Sequence, residues 1–425
     1  MGMMRLLSLP VEEVRKQLQS VFHEKKEHNE PHDNENKKEE VIENGAFQDL
    51  PQCLGLEHYY PRKMSRANIQ LIHKTSVYNT QPCSERELPF YFLQKLLMLD
   101  YGLRYLIIKH EEYTENQVYS STLSQEKEAF DPYEDIPEES VSPTKASAAT
   151  NVRPYVHPMD IQMAILHCAD DFARQYILDK LSICQFALPL LIPNPCNAQI
   201  EFSLWSLSQI RRSWQQGKSI KGEKDNYTNQ RMCHVSLPIV SFIRVGNAFS
   251  SSKSQIMNCL LSERKHDVFF HRHCKGSSRD CLLMGGVVEI AWFCPGGEEQ
   301  DRFDNCLIFT NLHGDAKEHE KQLAFLHEVS SIIVVFMSTS DDNKGNRKIV
   351  HDMCQSTKPL IFLLDDKGKV TVDKSGPRVR IGIRNRNEAE LIGELTTTIR
   401  RLLKLSNSAL SLENCAQVAR SKECS

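Results

Sequence analysis

From residue 238 onward, short apolar runs alternate with segments whose apolar residues return every three or four positions. The run Ile239–Val245 predicts a buried strand, and Lys253–Ser262 predicts a helix behind it. Two further runs, 287–293 and 306–310, predict a pair of strands joined through the turn-rich Pro295-Gly-Gly. Helical spacing then covers 316–330, Lys344–Gln355 and Glu388–Leu405, while Ile332–Met337, Leu360–Leu364 and 379–383 predict strands. This alternation predicts an α/β unit with a mainly parallel sheet.

The first half is patterned differently. Residues 6–22 predict a short amphipathic helix, with Leu9, Val14, Leu18 and Val21 on one side. Residues 23–44 are almost wholly Glu, Lys, Asn and His, the composition of a disordered linker. Leu54-Gly-Leu-Glu-His-Tyr-Tyr60-Pro and the run from Leu88 to Leu99 supply large apolar side chains at helical spacing. An acidic stretch rich in Ser and Pro fills 111–150. Residues 159–214 again predict helix, through Ile161, Ile165, Cys168, Phe172 and Tyr176, until the prolines of Gln185-Phe-Ala-Leu-Pro-Leu-Leu-Ile-Pro193 interrupt it. The predicted plan is therefore a short helix and charged linker (1–46), a helical domain (47–110), an acidic disordered linker (111–157) and a helical domain with its linker (158–237). The α/β domain (238–405) and a tail (406–425) complete it.

Composition narrows the function classes. A net charge of −3 gives no general attraction to nucleic acid or anionic membrane, and the Lys-rich pairs at 25–26 and 37–38 alternate with Glu, as in a solvated linker. No apolar run is long enough to span a bilayer, and the N-terminus lacks the apolar core of a secretory signal. Gly2 suggests myristoylation, but Leu6 stands where that motif wants Ser or Thr. Fourteen cysteines without one C-x-x-C pair predict reduced thiols in a cytoplasmic or nuclear protein.

The chemistry concentrates after the first strand. Gly246-Asn-Ala-Phe-Ser-Ser-Ser252-Lys253-Ser254 lies between strand and helix, where a phosphate-binding loop would lie. In such loops backbone N–H groups line the phosphates, the lysine reaches the outer ones, and the hydroxyl, here Ser254, binds magnesium. The motif requires G-x-x-x-x-G-K-[ST]; here Ser252 replaces the second glycine, and Gly246 lies one residue too far upstream. The element order and the segment Asn311-Leu-His-Gly314-Asp315 resemble a Ras-like G domain with its D-x-x-G motif, in which the acid holds the magnesium shell and the glycine N–H contacts the γ-phosphate. Asn311 keeps the shape without the charge a hard cation prefers. For N/T-K-x-D the matching place reads Leu363-Leu-Asp-Asp366, with Asp366 alone available to bind a base. The predicted nucleotide-binding set is Gly246, Ser252, Lys253, Ser254, Asn311, Gly314 and Asp366, with GTP and magnesium as the implied ligands. A second cluster, His271, His273 and Cys274 with Cys281 and Cys294, has zinc-ligand residue types. On an extended segment His271 and His273 point together and Cys274 points away, so no zinc is expected there. No catalytic Ser-His-Asp arrangement or paired carboxylates can be nominated.

From about residue 50 to the C-terminus the chain resembles the very large interferon-inducible GTPases and the up-regulator of cell proliferation. The resemblance is carried by Leu54-Gly-Leu-Glu-His-Tyr-Tyr-Pro, His157-Pro-Met-Asp, Cys184-Gln-Phe-Ala-Leu-Pro-Leu, Ser252-Lys-Ser-Gln, Phe269-Phe-His-Arg, Ile290-Ala-Trp-Phe-Cys-Pro-Gly-Gly and Thr310-Asn-Leu-His-Gly-Asp-Ala. It implies a P-loop G-domain-like, mainly parallel sheet preceded by helical domains, in a GTP-binding, interferon-linked or growth-linked protein. In the long members the region matched here is a degenerate G-like domain, and their intact G-x-x-x-x-G-K-S lies in a later one. A pseudo-GTPase that works through protein partners or self-association is therefore expected, without nucleic acid or membrane. Its rivals are an active GTP hydrolase and a truncated paralogue with little independent function.

Overall fold

In the computed structural model, strand periodicity divides one sheet between two cores. The structure describes residues 45–71, 81–105, 156–197, 199–215, 227–246, 252–263, 265–274, 277, 281–298, 301–338, 344–365, 376–384, 386–406 and 408–424. All fall within a unit spanning Ile42–Ser425. The helix predicted over 6–22, the linker predicted over 23–44 and Asp366 lie outside the described residues.

The chain begins with helices α1 (Gly45–Cys53), α2 (Arg66–Ile69), α3 (Leu88–Leu97), α4 (Pro158–Cys168) and α5 (Asp171–Ile183). Strands β1 (Leu188–Pro193) and β2 (Ile200–Phe202), a short helix α6 (Leu204–Leu207) and the hairpin β3 (Arg211–Gln215) and β4 (Tyr227–Arg231) follow. Then come β5 (Ile239–Val245), α7 (Lys253–Ser262), β6 (Val288–Phe293), β7 (Leu307–Leu312), α8 (Glu320–Val329), β8 (Ile332–Met337), α9 (Lys344–Gln355), β9 (Leu360–Leu364), β10 (Arg378–Gly382), α10 (Glu388–Leu405) and α11 (Leu412–Ser421).

Eight strands form one sheet in the order β10-β9-β8-β5-β7-β6-β1-β2. The run from β10 to β7 is parallel, and β6, β1 and β2 join antiparallel. The order β10 to β6 is that of a P-loop G domain, as the sequence predicts. Because successive strand residues face opposite ways, Val240 and Phe242 enter one core with Phe309, Val334, Phe336, Ile361 and Leu363, covered by Met257 and Leu260 of α7 and Leu395 and Ile399 of α10. Ile239, Ile243 and Val245 enter the other, with Ile308, Val335 and Phe362. That second core also takes Phe325 and Leu326 of α8, Leu412 and Cys415 of α11, and the buried faces of α3, α4 and α5.

Three features depart from the sequence-based expectation. Residues 188–193 and 200–202 fall in the segment predicted as helix and are strands of the main sheet, and its end, from Arg211, is the first strand of the β3–β4 hairpin. Pro189 sits at an irregularity, where the β1–β6 register shifts between Pro189 and Leu191, a place in a ladder that tolerates proline. Second, β7 continues through Leu312, two residues beyond the predicted 306–310, and so places Asn311 within the sheet. Third, the predicted tail contains α11, fastened to α8 by the Lys422–Glu328 ion pair at 2.9 Å. Among the described residues no helix is long and apolar enough to cross a membrane.

Arg104, 2% exposed, joins the helical region to the sheet region. Its guanidinium donates to the carbonyls of Ala187 (3.3 Å) and Val268 (3.2 Å) and to Gln162 Oε1 (3.2 Å), and stacks 4.1 Å from the Phe186 ring centroid. Asp160 on α4 makes a second tie. Its carboxylate accepts from the N–H groups of Leu282 (2.9 Å) and Leu283 (2.8 Å) and from the Cys281 thiol.

Candidate functional site

The C-terminal ends of β5 and β7 and the N-terminus of α7 converge where a G domain holds phosphate. Gly246 ends β5 with φ +83°, a conformation that favours glycine. Its N–H donates to Asp315 Oδ1 at 3.1 Å, and the same oxygen accepts from the Lys317 N–H at 3.1 Å. Ser252 is the N-cap of α7: its hydroxyl accepts from the Gln255 N–H at 3.4 Å. Serine at this place thus has helix-capping work to do, where a phosphate loop uses glycine.

Lys253 does not project into open solvent. Its ammonium donates to the Leu312 carbonyl. Burial, aided by the nearby charge of Arg244 and only partly opposed by Glu289, lowers its pKa to about 7. The Ser254 hydroxyl is buried and lies 3.3 Å from Asn311 Nδ2. Asn311 is fully buried, directly opposite Glu289 on β6. Glu289, 1% exposed, brings a carboxylate beside the position where a G domain carries its aspartate. That carboxylate is committed to His313, 2.6 Å from Oε2 to Nε2, and Asn311 Nδ2 lies 3.2 Å from the same imidazole nitrogen. Burial pushes the Glu289 pKa up, but the charge and hydrogen bond of His313, with help from Arg104 and Asn311, bring it below the usual carboxylate value. Gly314 has φ +86°, and a Cβ there would lie 2.6 Å from His319 Nε2.

The structure therefore brings Gly246, Ser252, Lys253, Ser254, Asn311 and Gly314 to one end of the sheet. Sequence reading missed Glu289, His313 and Asp315. A single acid inside the apolar run Val288-Glu-Ile-Ala-Trp-Phe was the available signal for the first.

The fit to GTP and magnesium is poor on these contacts. A phosphate needs the lysine ammonium and the loop N–H groups. Here the ammonium serves a carbonyl, and the Gly246 N–H faces a carboxylate whose charge repels an anion. Magnesium prefers charged oxygen ligands, but Ser254 meets an amide, and the neighbouring carboxylate is engaged by imidazole.

The predicted zinc-type cluster also changes. Cys274 was expected to point away from His271, but the chain turns between them, with the Cys274 N–H donating to the His271 carbonyl at 3.0 Å. Cys274 thereby returns to the side of His271, and Asp267 joins them.

Comparison with known proteins agrees with the fold. A family model described as "Up-regulator of cell proliferation-like domain" matches residues 156–425, and its N-terminal companion matches 47–124. The chain is 68% identical over 412 residues to interferon-induced very large GTPase 1 of Homo sapiens, covering 97% of this chain and 17% of that protein. The Mus musculus protein of the same name is 61% identical over 413 residues, with the same coverage. Up-regulator of cell proliferation of Mus musculus is 32% identical over 333 residues, 76% of this chain and 35% of that protein. The chain thus spans about a sixth to a third of the length of these relatives. A match through the whole sheet and the helices that flank it places the chain in the up-regulator of cell proliferation-like family, to which the very large interferon-induced GTPases are similar along this same stretch.

Proposed function

We propose that this chain is a GTPase-related module that keeps a G-domain frame without turnover and acts through protein contacts. The observation that carries the reading is the commitment of its phosphate-side groups to one another: Lys253 to the Leu312 carbonyl, and the Gly246 N–H to Asp315. Catalysis of phosphoryl transfer rests on positioning and charge stabilisation by such groups, and here the Lys253 ammonium and the Gly246 N–H each already have an internal partner. The GTPase in the relatives' name belongs to proteins about six times as long, so for this chain it is the rival reading. An interferon-linked role in cytoplasm or nucleus, and self-association through the helical region, complete the proposal. Met98 (61% exposed) and the edge-to-face pair Phe172 and Trp205, 5.2 Å apart, offer apolar surface for such contacts.

The test is GTP turnover by the purified full chain with magnesium, beside titration with fluorescent GTP and ATP analogues. Turnover equal to a protein-free blank is expected. A steady rate that disappears in Lys253→Ala overturns the proposal and establishes the hydrolase. Tight analogue binding without turnover places the module among nucleotide-binding pseudoenzymes and refutes internal closure. Light scattering over a wide concentration range tests self-association, with a monomer throughout counting against it.

A further inference from the structure

The segment between α7 and β6 carries a cluster that the phosphate-side reading does not use. Asp267, His271 and Cys274 present one ligand atom each, all within 4.8 Å of one another. His271 Nε2 lies 3.3 Å from Asp267 Oδ1, and Cys274 Sγ lies 3.7 Å from Asp267 Oδ2. Metal bonds of about 2.0–2.3 Å to N, O and S at tetrahedral angles separate the ligand atoms by roughly 3.3–3.7 Å. Both separations have those lengths but reach different oxygens of the Asp267 carboxylate, so a metal needs that carboxylate to turn and the imidazole and thiol, within 4.8 Å of each other, to close on one point.

We propose that Asp267, His271 and Cys274 form a binding site for a zinc-type transition metal, with the fourth position taken by water. One thiolate, one imidazole and one carboxylate suit zinc or cobalt and do not suit magnesium or calcium. The surroundings hold the ligands in place, as outer-shell hydrogen bonds do in metal sites. The Tyr105 hydroxyl donates to Asp267 Oδ2 at 2.9 Å, and Asn258 Nδ2 donates to Oδ1 at 3.3 Å. The His271 backbone N–H donates to Cys274 Sγ at 3.4 Å. Cys274 is 7% exposed, which shields a bound thiolate from solvent.

Proton inventory fixes what must change on binding. The His273 N–H donates to His271 Nδ1 at 3.2 Å, so the metal-free imidazole carries its proton on Nε2, facing Asp267. Metal at Nε2 moves that proton to Nδ1, and the exposed His273 amide turns away. Cys274 releases its thiol proton to solvent, and Asp267 binds as the carboxylate. One proton leaves for each metal bound. Because Tyr105 follows α3 and Asp267 follows α7, the bound metal stiffens a join between the helical and sheet regions.

The experiment is cobalt(II) titration of the purified full chain. One equivalent is expected to give a thiolate-to-cobalt charge-transfer band and the intense visible bands of tetrahedral cobalt, both bleached by zinc. His271→Ala and Cys274→Ser are expected to abolish these bands, and Cys83→Ser, at an exposed thiol, to leave them intact. Asp267→Asn keeps the shape of the side chain and is expected to weaken cobalt binding about tenfold or more, which covers the case in which another variant fails to fold. Absence of tetrahedral bands in the parent overturns the proposal. Their persistence in both Cys274→Ser and His271→Ala overturns it equally.

Discussion

Replacing Lys253 with methionine separates a lysine held for structure from one held for phosphate. The Lys253 pKa is about 7 in the folded chain, depressed first by burial and then by Arg244, against an ordinary value of 10.5. Between those values the unfolded chain binds more protons, so this group makes stability rise with pH. Its cost to folding is fully present below pH 7 and is relieved as pH climbs toward 10.5. With one pKa unit equivalent to about 1.36 kcal/mol, the cost is about 5 kcal/mol at pH 6 and about 2 kcal/mol at pH 9. The parent is thus expected to gain about 3 kcal/mol from this group between those two pH values. Lys253→Met removes the titration, and it also removes the bond to the Leu312 carbonyl. Losing that bond costs about 1–3 kcal/mol, an offset that shifts the whole stability curve and leaves its slope to the titration. The assay is urea unfolding of parent and variant at several pH values, read as the difference between their curves, which cancels other titrating groups. The difference should favour the variant by about 3 kcal/mol more at pH 6 than at pH 9. Parallel curves would refute the reasoning. A phosphate beside the ammonium would raise its pKa, so flattening of the parent curve by GTP and magnesium would show an open site and count against internal closure.

Three further outcomes are expected. Asp160→Ala strands the buried N–H of Leu283 and frees that of the exposed Leu282, and should cost about 1–3 kcal/mol in urea unfolding, with Asp160→Asn recovering part of it. Gly314→Ala combines a φ of +86° with a Cβ 2.6 Å from His319 Nε2, and should lower stability by more than about 1 kcal/mol by the same measurement; Gly314→Ala with His319→Ala should regain only the steric share. Cys294 Sγ and Cys306 Sγ lie 3.4 Å apart, so treatment with glutathione disulfide should link them, each thiol losing a proton and the pair giving two electrons to the oxidant; peptide mass spectrometry should find the linked peptides in the parent and not in Cys294→Ser.

The sheet was legible because burial leaves a periodic trace along the chain. Ile239–Val245, Ile332–Met337 and Leu360–Leu364 are apolar on both faces and coincide with the predicted strands. β1 escaped because Pro189 and Pro193 read as helix breakers, and nothing local announces the register shift that makes room for the first of them. The site was legible only in part, and for a different reason. Ser252, Lys253, Ser254 and Asn311 could be nominated from motif spacing, which is a property of one segment. What those residues do depends on pairs from distant segments: Lys253 with Leu312, Gly246 with Asp315, Ser254 with Asn311. Cys274 fails in the opposite direction, since one turn at 271–274 reverses the face that an extended segment would assign it. Glu289 shows why such pairings resist sequence reading. Its carboxylate meets His313 and neighbours Asn311 only because β6 and β7 pair with Glu289 opposite Asn311. A slip of one residue would turn Glu289 to the other face of the sheet, leaving its charge among apolar side chains without an imidazole. The polar set at this sheet end and the strand register therefore depend on each other, and Glu289, as the fully buried charge, is the member whose misplacement would cost most.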